Sequence, residues 1–168
     1  MDEVQKELAN ARLVQAGQCL KSARILADIN DYKGAANRSY YAIFHSMRSV
    51  LALDGKDFAK HAGVISGFRK DYIKTGQLPV ELSAIITSAF DVRSECDYDD
   101  YYVIDKSEVS EQINNGEKFY NIVKSYVLER LERLDEAHIV NDGITDYEDG
   151  EIVDGKKTLK KMRDKYGV

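Results

Sequence analysis

Arg38-Ser39-Tyr40-Tyr41-Ala42-Ile43-Phe44-His45 is the stretch that decides the fold of this chain. Turned at about 100° per residue, it and the residues after it divide into two sides of one helix. Tyr40, Ile43, Phe44, Met47, Val50 and Leu51 fall on one side and predict a core stripe. Arg38, Tyr41, His45 and Arg48 fall on the other, at i, i+3, i+7 and i+10. This second strip carries two guanidinium groups, a phenol and an imidazole, donors that suit a phosphate or a nucleotide.

The same period extends in both directions, and no alternating strand pattern interrupts it. A first helix is predicted from about Asp2 to Ala27, with Leu13, Ala16, Leu20 and Ala23 on one seam. Asp28, Asn30 and Asp31 break it, and Asp31 suits the N-cap of a second helix that runs to about Leu53. Asp54-Gly55 offers a left-handed exit. A third helix covers about Ala59 to Lys74 and stops at Thr75-Gly76, and Pro79 fits the first turn of a fourth. The fourth carries Leu82, Ile85, Ile86, Ala89 and Phe90 as its apolar stripe, which continues onto Arg93. An arginine there requires a partner, and Asp97 lies one turn on. Asp105 and Glu108 predict a capping pair for a fifth helix to about Leu134, with Val109, Ile113, Gly116, Tyr120, Val123 and Val127 on its seam.

These elements predict an all-α, up-and-down bundle of about five helices over residues 1–134. Residues 135–168 differ in character. Asn141-Asp142-Gly143 and Glu148-Asp149-Gly150 read as acidic turns, and Lys156 to Tyr166 as a short basic tail helix with Leu159 and Met162 on one face.

Bulk properties bound the function. The chain has 168 residues, 32% charged and 43% hydrophobic, ordinary for a soluble globular domain with its own core. A net charge of −5 excludes a general nucleic-acid coat, so any RNA contact must use a local basic patch. Cys19 and Cys96 lack ligand spacing and point to a reduced, cytoplasmic protein. No apolar run spans a bilayer, and MDEVQKELAN has no secretory pattern. No two histidines have metal spacing on one helix, so neither a metal nor another cofactor is expected.

The run Ala36 to His45 resembles the second-helix signature of HEPN-domain proteins. Leu51 to Gly55, His61-Ala62-Gly63-Val64, Phe68 and Arg93-Ser94-Glu95-Cys96-Asp97-Tyr98 follow in the order of the branch that pairs a Tyr-Tyr-Ala helix with an Arg-x-x-x-Asp-Tyr segment. The resemblance covers roughly residues 5–130. It implies a helical bundle, often a homodimer, frequently partnered with a small nucleotidyltransferase in toxin–antitoxin modules, and in some branches ribonuclease activity.

Three functions fit the residues. In the first, the chain is a nucleotide- or RNA-binding component of a two-component module. Arg38, His45, Arg48 and Arg93 then contact phosphate, Tyr41 meets a base or sugar, and Asp97 orients Arg93. In the second, it is a metal-independent endoribonuclease using Arg38 and His45, whose spacing is similar to the Arg-x(4–6)-His motif of ribonuclease HEPN proteins. Histidine can move protons near neutral pH while arginine stabilises charge on the reacting phosphate. In the family that motif sits nearer the last long helix, where this chain has Arg93 to Tyr98 with Asp97 in the histidine region. In the third, the polar residues form an internal network in a purely structural interaction bundle. His61, near the start of the third helix, reads as solvated or capping.

Overall fold

A computed structural model describes residues 3–99 and 101–148, with side chains to residue 134 and at 136. Among these residues there are five α-helices and no strand: α1 (Glu3–Asp28), α2 (Tyr32–Leu53), α3 (His61–Phe68), α4 (Leu82–Tyr98) and α5 (Lys106–Glu148). The fold is the expected all-α bundle. The described residues fall into two units divided between Glu129 and Arg130, and the first holds α1 to α4 with residues 106–129 of α5.

α1 and α2 form a hairpin whose turn is very tight. Asn30 takes a left-handed conformation (φ 63°), a state asparagine tolerates. Asp31 caps α2 as predicted, its carboxylate accepting from the Gly34 amide at 3.0 Å. Small residues let the two helices approach closely: Ala9, Ala16 and Ala23 of α1 and Ala35 and Ala42 of α2 are all fully buried. The Ser49 hydroxyl donates across the gap to the Ala9 carbonyl at 2.7 Å. Gly116 brings α5 onto this pair, where a Cβ would lie 3.2 Å from Leu20 and 3.5 Å from the Ser39 carbonyl.

The core of the first unit is built on Tyr40, Ile43, Met47 and Leu51 of α2, all at most 1% exposed, as the stripe predicts. Phe68 and Phe119 meet beneath it with ring centroids 5.7 Å apart. α3 does not continue as one α-helix. A π-helical turn, Arg69–Ile73, follows it, and the chain then turns at Gly76 (φ 75°). The wider turn lets the buried Tyr72 hydroxyl donate to the Val50 carbonyl at 3.2 Å and to the Asp54 carboxylate at 2.5 Å.

Four expectations need correction. Pro79 precedes α4 in a turn, its carbonyl accepting from the Leu82 amide at 3.2 Å, rather than opening the helix. Phe90 is 37% exposed, while Val92 is buried in its place among Ala23, Ala36 and Ile113. Asp105 does cap α5 through the Glu108 amide at 2.8 Å, but the Glu108 carboxylate accepts from the Tyr102 hydroxyl instead of closing a capping box. α5 runs past Leu134 and through Asn141-Asp142-Gly143 to Glu148. One glycine costs a helix about 1 kcal/mol and does not by itself stop it. The tail helix expected at 156–166 lies outside the described residues.

Candidate functional site

α2 brings its aromatic and cationic residues to the start of α3. Tyr40 and Phe44 are core residues, 1% and 6% exposed. The His61 ring stacks on Phe44 with centroids 4.2 Å apart. Its Nδ1 shares a hydrogen bond with the Tyr40 hydroxyl at 2.8 Å. Burial raises the pKa of that phenol to about 12 despite nearby Arg93, so it stays protonated. Tyr41, half-buried, meets the His61 ring edge-on at 6.0 Å and stacks on His45 at 6.1 Å. His61 is therefore part of the aromatic cluster, neither a solvated residue nor a cap.

His45 is half-buried, and its Nδ1 is buried with no hydrogen-bond partner among the described residues. Burial lowers its pKa, and the charges of Arg48 and Arg12 lower it further, with a contribution from His61. His61 is lowered by burial, then by Arg93 and Arg48. Both shifts favour the neutral ring. A neutral imidazole can accept a proton, and two of them beside arginines form a pocket that an anion would stabilise.

Arginines flank this pair on both sides. The Arg93 guanidinium lies over the Tyr40 ring at 5.7 Å and binds Asp97 at 2.7 Å, one helical turn on. Asp97 also accepts from Asn37 of α2 at 3.3 Å. Arg48 lies 5.9 Å from the Phe44 ring and donates to both oxygens of Asp57, at 3.0 and 3.2 Å. The same carboxylate accepts from Arg12 of α1 at 2.9 Å. Burial works to raise the Asp57 pKa, but the hydrogen bond from Arg48 and the charges of Arg12 and Arg48 outweigh it and hold the group ionised. Phe44, Arg48, Asp57, Phe58, Ala59 and His61 line a cavity of about 370 Å³. His61 also borders a larger groove of about 640 Å³ between α3 and α4, lined by Ile65, Arg69, Ile86 and Phe90.

Tyr41, His45, Arg48 and Arg93 thus lie about the Tyr40–Phe44–His61 cluster, and Asp97 joins it through Arg93. Arg38 is exposed and turned toward α1. There its charge offsets part of the burial that raises the pKa of the Cys19 thiol. Sequence reasoning missed His61, Arg12 and Asp57. The signal for Arg12 was available: it adjoins Leu13 and follows Ala9 by three, which puts a charge beside the α1 core seam, and it is 6% exposed. His61 and Asp57 had no such signal, because their partners lie on other elements.

The family model for the HEPN domain matches residues 9–126. A UPF0332 protein of Thermotoga maritima is 30% identical over 71% of this chain and 89% of its own length. A Methanocaldococcus jannaschii protein named "Putative toxin MJ0142" is 32% identical over 69% of this chain and 79% of its own. A second from that organism, named "Putative toxin MJ0605", is 32% identical over 75% of this chain and 93% of its own. No helix among the described residues is long and apolar enough to cross a membrane.

Proposed function

Because this chain belongs to the HEPN domain family, we propose that it is the toxin-like component of a two-component module and binds a nucleotide or RNA through phosphate. The observation that carries this reading is the placement of two imidazoles beside arginines on an aromatic floor, His45 near Arg48 and Arg12 and His61 near Arg93 and Arg48. Arginine suits bidentate contact with phosphate oxygens. Tyr41, half-buried beside them, offers a ring face for a base. The names of the Methanocaldococcus relatives support the toxin-like role. The proposal includes a small nucleotidyltransferase as partner, a homodimeric state and a cytoplasmic location.

The test is equilibrium binding of AMP and of a short single-stranded oligoribonucleotide. Arg48→Gln and His45→Asn should each weaken binding by about tenfold or more, the worth of one charge-assisted hydrogen bond, with the helical circular dichroism spectrum unchanged. A wild-type protein that binds neither ligand overturns the reading.

A second reading, metal-independent RNA cleavage by His45 and Arg38, draws on the lowered His45 pKa, which favours the unprotonated ring a general base needs, with Arg38 reaching the phosphate from its exposed place beside α1. Under it, His45→Ala and Arg38→Ala should each reduce cleavage about 10²–10⁴-fold. Undiminished cleavage in both variants would place the chemistry elsewhere.

A further inference from the structure

We infer that Arg12 and Arg48 form the seat of a terminal phosphate group, and that Asp57 fills this seat until the ligand displaces it. The inference rests on the phosphate-binding reading above and names both the ligand class and a competitor built into the chain.

Asp57 stands where a phosphate would. Its two oxygens take three guanidinium contacts, at 2.9 Å from Arg12 and at 3.0 and 3.2 Å from Arg48. Arg12 is 6% exposed and is held in place from behind, donating to the Arg48 carbonyl at 3.0 Å. Its charge is thus aimed outward at the carboxylate. The Asp57 side chain, in contrast, is 55% exposed and lines the cavity that also holds Arg48, Phe44 and His61. A buried cation with an exposed, exchangeable counter-ion is the arrangement that lets an incoming anion compete, since the arginines are already desolvated and positioned.

Charge selects the ligand. Two guanidinium groups face one carboxylate, so among the described residues one positive charge at the seat is unmatched, and the lowered pKa values of the neighbouring imidazoles favour their neutral forms. A phosphate monoester, with a second pKa near 6, is close to dianionic at pH 7 and above and balances both arginines. A phosphodiester carries one charge and gains nothing over Asp57. The seat therefore favours a terminal phosphate, whether on a free nucleotide or on an RNA end.

The loop bearing Asp57 is anchored on both sides of it. Lys56 binds Asp71 at 3.0 Å, and the Phe58 ring lies over Gly67, where a Cβ would come within 2.7 Å of it. Asp57 can leave the arginines by rotating its side chain, which also releases the hydrogen bond its Oδ1 accepts from the Phe58 amide at 2.9 Å, while these neighbours keep the loop in place.

Asp57→Asn tests this with three probes: AMP, an oligoribonucleotide with a 5′-phosphate, and the same oligoribonucleotide without it. The variant should bind the phosphorylated probes about tenfold or more tightly than wild type, as a lost ionic competitor allows. The unphosphorylated probe should gain far less. Glu111→Gln, an equal change in net charge on an exposed site of α5, should show no such gain. Adding Arg12→Gln or, should that variant misfold, Arg48→Gln to Asp57→Asn should abolish it. A gain confined to AMP identifies a free nucleotide, and a gain confined to the oligomer an RNA end; either supports the seat. Equal gains with and without the terminal phosphate overturn it. So does wild-type binding that Asp57→Asn leaves unimproved, with the general reading intact. Binding by neither protein overturns both.

Discussion

His45 and His61 make the stability of this protein depend on pH. Both have folded-state pKa values below the ordinary 6.5, first because of burial and then because of neighbouring arginines. The unfolded chain takes up protons at these rings as pH falls through about 6.5, while the folded chain resists. Their contribution is whole above that value and is lost as pH falls below it. Asp57 also favours the folded state when ionised, but its loss begins only toward its ordinary 3.8. Urea unfolding near pH 7.5 and near pH 5.5 should therefore show a weaker protein at the lower pH. His45→Asn with His61→Asn should flatten the difference, and an undiminished drop would assign it to other groups. A bound phosphate should raise both folded-state pKa values toward the unfolded value and so lessen the loss of stability at low pH. His45 was legible as a candidate because it shares the α2 polar strip with Arg38, Tyr41 and Arg48. Its lowered pKa was not, since Arg12 and His61 reach it from α1 and α3.

Helix existence was readable from period and caps at the level of elements, and the side each helix turns inward was readable where one stripe dominates. α2 is the clear case: Tyr40, Ile43, Met47, Val50 and Leu51 are buried as read. α4 shows where period runs out. Phe90 and Val92 both continue its apolar pattern, and only the packing of Val92 against α1, α2 and α5 leaves Phe90 at the groove. The π turn at Arg69–Ile73 left no mark on a pattern read at 3.6 residues per turn. Gly67 also gave no sign of its use, which depends on Phe58 from the preceding loop. Gly67→Ala would place a Cβ 2.7 Å from that ring, against its Cε2. The ring must shift, carrying strain toward Asp57, and the variant should lose about 1–3 kcal/mol in denaturant unfolding. A loss under about 0.5 kcal/mol, the range of neutral surface changes, would show that Phe58 moves aside freely.

Over the whole molecule the net charge is −5, yet Arg12, Arg48 and Arg93 stand within one cluster. Association with an anionic ligand is then governed by a local field rather than by the protein's overall charge. The tight turn at Asn30 has a different consequence, in the order of folding. It joins helices of 26 and 22 residues, so contacts near the turn are short-range while the Ala9–Ser49 contact spans 40 residues. Each contact formed near the turn shortens the loop that the next must close, and a hairpin of this kind can zip outward from one end. The nucleus is then expected beside Asn30, with α5 joining later. Ala23→Gly and Ala9→Gly remove comparable helix propensity at the two ends of the zip. In stopped-flow kinetics the first should mainly slow folding and the second mainly speed unfolding, and the opposite pattern would move the nucleus to the open end of the hairpin.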